Sequence, residues 1–296
     1  MSPALDISSM PAVVARNPKQ EARNLTPVYY NARLDPINYL EGPLSTNPAT
    51  RLRQMLARPG IITAPGICDG ISARCAIEAG FECLYQSGAA TTASRLGQPD
   101  LAIATLNDFT EAAEMVCSLE PTMPVIADAD TGFGGPAMIA RTVTKYAKAG
   151  VAGLHIEDQV QTKRCGHLLG KQVVSREEFI THVCFIEGVK TKQLLERTVA
   201  ALAPKPVLVN VISGGLTPSF TSQEAEASGA KIIIFSLASC VPMVHALRAA
   251  MKSLKETGTD FVAAQGMGPR EFFEVMGLWD VVNMDSKAGG TAFNSI

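Results

Sequence analysis

The sequence predicts an α/β fold, a TIM-type (β/α) barrel that lacks about one βα unit, and three observations carry that prediction. From residue 50 onward, short apolar runs alternate with longer amphipathic ones. Repetition of this kind builds a parallel sheet, either doubly wound or closed on itself. The polar residues then choose between the two. Ser87, Asp128, Asp130, His155, Glu157, Glu187 and Asn210 fall toward the C-terminal ends of five predicted strands. A doubly wound sheet gathers ligands in one crevice between two strands, whereas a barrel gathers them from many strands at one rim. The third observation is a count, with seven strands found where such a barrel has eight.

The predicted strands are 61–64, 83–87, 124–130, 152–157, 184–187, 206–212 and 231–236. Most are rich in β-branched residues and bounded by Gly, Pro or charge, as strands buried on both faces are. Helical periodicity covers Ser72–Ala79, Asp108–Ser118, Ala137–Ala149, Lys192–Ala201 and Ser222–Ala227. Gly80, Gly150 and Gly229 stand where left-handed C-terminal caps belong. Residues 1–48 read as an irregular N-terminal arm, rich in Pro and Asn, and residues 49–296 as the barrel with a C-terminal helical tail over 269–290. The shortfall in strands localises. After the long loop 159–174, Ser175–Val183 allows only about 12–13 Å of helix before the strand at Cys184–Glu187.

A net charge of −2 gives no global attraction to nucleic acid or an anionic membrane surface. No apolar run approaches the ~18 residues a membrane helix needs. Seven scattered cysteines without CxxC spacing read as reduced thiols, most of them small buried hydrophobes. A cytoplasmic setting follows. Arg16, Lys19 and Arg23 sketch a weak mitochondrial presequence that Asp6 and Glu21 interrupt, so a mitochondrial setting is the alternative.

Three segments carry chemistry. In Asp128-Ala-Asp130-Thr-Gly-Phe-Gly, period-two alternation turns both acids to one side of a strand end. Two adjacent carboxylates repel unless a cation sits with them. A hard divalent ion with oxygen ligands fits, Mg²⁺ by default and Mn²⁺ as the substitute. Helix capping explains one of these acids and not both. In His155-Ile-Glu157-Asp158-Gln159, His155 and Glu157 share a face beside that pair, and Glu157 completes the oxygen shell directly or through water. The loop Lys163-Arg164-Cys165-Gly166-His167-Leu-Leu-Gly-Lys171 concentrates positive charge, with no acid between Asp158 and Glu177. Cations beside Cys165 favour its thiolate, although a solvated basic loop with an incidental cysteine gives the same spacing.

Ser87-Gly88, Asp128-x-Asp130-Thr-Gly-x-Gly, HIEDQ at 155–159 and KRCGH at 163–167 together resemble the isocitrate lyase/phosphoenolpyruvate mutase superfamily, over about residues 50–290. The stretch 151–174 is most similar to the 2-methylisocitrate lyase, dimethylmalate lyase and fungal oxaloacetate hydrolase branches. The resemblance implies that the backbone N–H groups of Ser87 and Gly88 hold an α-keto acid carboxylate, with Tyr85 alongside. It implies that Asp128, Asp130 and Asp100 position Mg²⁺, and that His155, Glu157, Glu187 and Asn210 line the substrate. It makes Lys163, Arg164, Gly166 and His167 parts of a loop that closes on substrate, with Cys165 as the acid that protonates the leaving carbanion. By the same resemblance the tail packs on a neighbouring subunit, giving a homotetramer.

The implied activity is Mg²⁺-dependent carbon–carbon cleavage of a small 2-hydroxy di- or tricarboxylate, 2-methylisocitrate- or dimethylmalate-like, releasing an α-keto acid. Two departures bear on it. Thr217, with Ser213 close by, stands where the superfamily's oxaloacetate hydrolases carry a serine. The superfamily's fifth strand, ending in Ala-Arg-Thr-Asp-Ala, has no counterpart, so the arginine that binds the developing oxyanion is missing. A barrel that retains metal and carboxylate binding with impaired turnover is therefore the alternative reading, as is an oxaloacetate hydrolase.

Overall fold

A computed structural model describes residues 41–175 and 189–290. The strand expected at Cys184–Glu187, and with it Glu187, lies outside these residues, as does most of the arm expected over 1–48.

Helix α1 (Pro48–Ala57) opens the described barrel, with Pro48 in its first turn and Asn47 Oδ1 accepting from Thr50 N at 2.9 Å. Next come β1 (Ile62–Ile67), α2 (Gly70–Glu78), β2 (Leu84–Gln86), α3 (Gly88–Leu96), α4 (Leu106–Leu119), β3 (Val125–Asp128), α5 (Pro136–Lys148) and β4 (Gly153–His155). The chain continues through α6 (Lys192–Leu202), β5 (Leu208–Val211), α7 (Ser222–Ala227) and β6 (Ile232–Phe235). Helices α8 (Cys240–Thr257), α9 (Phe261–Ala264), α10 (Pro269–Val275) and α11 (Leu278–Lys287) end the described chain. The sequence patterns mark none of α1, α3, α8 and α9.

The six strands are parallel in the order β4-β3-β2-β1-β6-β5. Every neighbour is consecutive in sequence except β1 and β6, the first and last strands, which pair over Ile62–Pro65 and Ile232–Phe235. Pairing first with last is what closes a barrel. The interruption falls between β4 and β5, where the sequence fell one unit short. The described residues thus form a curled sheet that follows the barrel's circuit, with no pairing between β4 and β5.

Inward positions confirm the curl. Ile62 and Ala64 of β1, Tyr85 of β2, Ile126 of β3, and Ile232 and Ile234 of β6 form one buried cluster with Cys83, floored by Leu52 of α1. Alternate residues face the helices instead. Phe109 and Tyr146 are fully buried against Ala127, Ala129 and Ile156, and burying each stabilises by roughly 1.5–3 kcal/mol. Leu195, Val209, Phe220 and Ile233 fill the corresponding layer under α6 and α7. The predicted glycine caps hold, with φ of 83° at Gly80, 90° at Gly150 and 86° at Gly229.

Two strands end earlier than alternation predicts. β3 stops at Asp128 and β4 at His155. Asp130 takes a left-handed φ of 44°, so a turn rather than strand periodicity brings it beside Asp128. The pairing persists as bonds from Ala129 N to His155 O (3.1 Å) and Glu157 N to Asp130 O (2.7 Å). In contrast to α2–α5, helix α8 contains no buried residue.

Candidate active site

The C-terminal ends of β2, β3, β4 and β5 converge on the residues the sequence singled out. Asp128, Asp130 and Glu157 are buried, and each offers an oxygen within 4.8 Å of the others. Asp128 is held from several sides. Its Oδ1 accepts from Asp130 N at 2.9 Å, its Oδ2 from Gly88 N at 3.1 Å, and its carbonyl from Tyr146 Oη at 2.6 Å. Gly88 has to be glycine for this approach, because a Cβ there would collide with the Asp128 carboxylate. Burial, with Asp128 and Asp130 adding to it, pushes the Tyr146 hydroxyl up, so it stays a donor.

Lys163 reaches into the acids. Its Nζ lies 2.8 Å from Asp100 Oδ1, 2.9 Å from Asp130 Oδ1 and 3.5 Å from Glu157 Oε1. Burial by itself lowers a lysine, but the surrounding carboxylates outweigh it and raise Lys163, which is an ammonium ion. Asp130 is pushed up to about 7, chiefly by burial, with Lys163 opposing and Asp128 and Asp100 reinforcing the shift. One ammonium against four carboxylates leaves surplus negative charge, and all the donors are oxygens. This donor set suits a hard dication, and Asp128, Asp130 and Glu157 are the residues that would hold it. Asp100 faces Lys163 and is not one of the three.

Tyr85 Oη and His155 Nε2 are 2.9 Å apart with their rings stacked, and Tyr85 Oη is also 3.5 Å from Asp128 Oδ2. Ser87 caps α3, its Oγ accepting from Ala90 N at 3.2 Å. Its own amide donates to Ile67 O at 3.2 Å. The two amides expected to bind a carboxylate, Ser87 and Gly88, thus donate to Ile67 and Asp128 in this structure. Asn210 Oδ1 accepts from Ser236 Oγ at 2.5 Å.

The basic loop folds down over these groups. Cys165 N donates to Asp100 O at 3.0 Å, and Gln159 Nε2 bridges Glu157 Oε2 and Arg164 O, each at 2.8 Å. Arg164 turns outward, its Nη1 on Leu169 O at 3.1 Å. His167 reaches the loop after β5, where its Nδ1 accepts from Leu216 N at 3.0 Å. A cavity of about 20 Å³ remains, lined by Tyr85, Ser87, Asp128, His155, Glu157, Cys165, Gly166 and Asn210 among others, with no arginine among the described lining residues. That volume holds about one water, so nothing larger fits with the loop in this position.

Ser236 and Gln159 belong to this site, and the sequence reading had given neither a role there. Ser236 ends the predicted strand 231–236, the same strand-end rule that found Asn210, and Gln159 closes the HIEDQ motif. Glu187 lies outside the described residues.

The phosphoenolpyruvate phosphomutase family profile matches residues 52–183. A 2,3-dimethylmalate lyase from Eubacterium barkeri is 30% identical over 276 positions, covering 78% of this chain and 95% of that protein. Because 78% of 296 residues is about 231, some 45 positions of that alignment have no counterpart here. Taken together, those positions are as many as a βα unit and its flanks would need. Among solved structures, oxaloacetate acetylhydrolase bound to 3,3-difluorooxalacetate aligns with TM-score 0.79 and 41% identity, over 85% of this chain and 100% of that one. A crystal structure of 2,3-dimethylmalate lyase aligns with TM-score 0.81 and 40% identity, over 86% and 99%. With the fold, the strand-end acids and the cysteine loop already in place, these matches settle the family: the chain belongs to the isocitrate lyase/phosphoenolpyruvate mutase superfamily of enzymes.

Proposed function

We propose that this enzyme is a Mg²⁺-dependent carbon–carbon lyase that cleaves a small 2-hydroxy di- or tricarboxylate, 2-methylisocitrate- or dimethylmalate-like, to an α-keto acid. The observation that carries the reading is the enclosure of Cys165 with Asp128, His155 and Glu157 in one cavity beneath a lysine-anchored loop. When bound, the dication supplies Lewis-acid stabilisation of the keto-acid oxygens. The remaining roles fall to the chain. The buried acids and Lys163 fix the polar wall, and the stacked Tyr85–His155 pair orients the reacting carbons. As the C–C bond breaks, the 2-hydroxyl proton passes to a carboxylate of that wall and the bond's electron pair becomes a carbanion, which takes a thiol proton from Cys165 Sγ under the water-excluding loop.

Oxaloacetate hydrolysis is the second reading, favoured by the 41% identity to a solved acetylhydrolase. Against it, Thr217 is buried and Ser213 is exposed, and neither lines the cavity. Impaired turnover is the third, motivated by the sequence's lack of an Ala-Arg-Thr-Asp-Ala strand end and by the lack of an arginine among the described lining residues. Losing one charge-assisted donor to an oxyanion costs about 2.7–4 kcal/mol, or roughly 10²–10³ in rate.

The test is keto-acid release by the purified protein with Mg²⁺ from 2-methylisocitrate, dimethylmalate and oxaloacetate in parallel. Under the first reading a 2-hydroxy acid is cleaved, and Cys165→Ser lowers kcat about 10²–10⁴-fold while Mn²⁺ binding, followed by electron paramagnetic resonance, persists. Asp128→Ala abolishes that binding. Turnover of oxaloacetate alone supports the second reading. Bound Mn²⁺ with no product from any substrate sinks the first two and leaves a carboxylate-binding barrel.

The assembly proposed is a homotetramer built through the C-terminal helices. Its support is the exposure of Val244, Leu247, Met251, Phe261, Phe273 and Met284 on α8–α11. A cytoplasmic location, with a mitochondrial one as alternative, completes the proposal, supported by the six described cysteines, none of which is in a disulfide.

A further inference from the structure

We propose that Gly215 is the socket that holds the cysteine loop closed, which makes it a positioning residue acting on Cys165 through His167. The two adjacent glycines after β5 differ in what they provide. Gly214 has φ 76° and nothing near the place of a Cβ, so it serves the backbone turn. Gly215 is not among the residues with positive φ, so its conformation admits a side chain. What excludes one is its surroundings. A Cβ there would overlap the His167 imidazole, with Cε1 2.8 Å away, and would stand 3.0 Å from Ile212 O. The imidazole sits against this bare stretch of backbone and accepts the Leu216 amide at 3.0 Å.

Besides Gln159 on the Arg164 backbone, three contacts among the described residues tie 163–167 to the rim. Lys163 binds Asp100, Asp130 and Glu157, and the Cys165 amide binds Asp100 O. Both of these attach to the β2–β4 side of the rim. The His167 contact alone of the three crosses to the loop after β5, and so it spans the cavity mouth. A one-turn bond from Leu168 N to Cys165 O at 2.9 Å makes the cysteine and the plug move together. Filling the socket with a methyl group therefore lifts the cysteine side of the lid and leaves the lysine anchor in place.

The kinetic arm of the test rests on reading Cys165 as the acid. The alkylation arm needs neither substrate nor metal, so the two can fail separately. Full-length protein is treated with iodoacetamide, and the cysteines are followed individually by peptide mass spectrometry. Exposed Cys75 serves as the reference and fully buried Cys83 as the reporter of unfolding. Gly215→Ala raises the Cys165 rate about fivefold or more, as expected when a lid equilibrium shifts, with Cys75 unchanged and Cys83 unreactive. His167→Ala, which removes the plug instead of filling the socket, gives a similar rise. In the double variant the second change adds less than about twofold, because both act on one contact. If the lyase reading also holds, Gly215→Ala lowers kcat and leaves Mn²⁺ affinity unchanged. A wild-type Cys165 rate in folded Gly215→Ala protein overturns the proposal, and so does a fully multiplicative double variant. Should Gly215→Ala expose Cys83, Gly215→Ser and His167→Ala decide on the same criteria.

Discussion

Asp130 shows how much one residue carries here. It has a left-handed backbone that costs an ordinary residue about 1–2 kcal/mol, which Asp and Asn bear best. It is almost fully buried, shares Lys163 with Asp100 and Glu157, and its carboxyl is pushed up to about 7, first by burial. The unfolded chain releases this proton near the ordinary carboxylate value, whereas the folded chain keeps it to about 7. Stability associated with Asp130 is therefore intact at low pH and is lost as pH rises through that interval. In metal-free protein, Asp130→Asn keeps the backbone and removes the titration. Its urea midpoint should gain on wild type from about pH 4 to 7 and then level off, and a difference that stays flat would count against this account. That Asp128 and Asp130 act together was legible in the sequence, because only a cation reconciles two neighbouring acids. The turn at Asp130 was not, since alternation alone predicts the same pairing from a longer strand. Nor was the depth of Lys163, because spacing places a basic residue in a loop without saying which way the loop folds.

Helix α4 places Phe109 under the sheet, and it starts at a reciprocal cap. Thr105 N and Oγ1 both donate to Asp108 Oδ2, at 2.8 and 2.6 Å, and Asp108 N donates back to Thr105 Oγ1. The Thr105 hydroxyl, then its amide, hold the Asp108 carboxyl below its ordinary value. Thr105→Ala should lower the unfolding free energy by about 1 kcal/mol, read by urea denaturation at pH 7. The deficit should shrink in acid, since a depressed carboxyl stabilises only above its folded value. Amphipathic helices such as α5 and α7 were readable nearly to the residue, because one face is apolar and a glycine follows. Helix α3 was not. Its GAATTASRL carries small and hydroxyl residues on all sides, and it owes its helicity to the Ser87 cap and to packing under Asp128.

At the scale of the molecule, closure of β1 on β6 follows from hydrophobic strand composition, and among the described residues β4 and β5 are the unpaired edges, in the stretch where the sequence counts a strand too few. The surface of the C-terminal helices was less legible. A helix following the last barrel strand ordinarily buries one face, yet α8 buries none and exposes Leu247 and Met251 at 51% and 57%. Contiguous apolar surface on this scale marks an interface. Sedimentation of the wild type should give a multiple of the 31.4 kDa chain. Leu247→Glu together with Met251→Glu should shift it to a smaller species without loss of helical signal, and a wild-type monomer would remove the reason for the prediction.

The small size of the chamber under the cysteine loop has one more consequence. Space for a single water means that nothing larger is held while the lid is down unless the walls part around it, so entry and exit each wait on the same movement. Turnover of any acid processed here is then timed by how often the lid lifts, and it should slow in viscous solvent even when the bond-breaking step is fast.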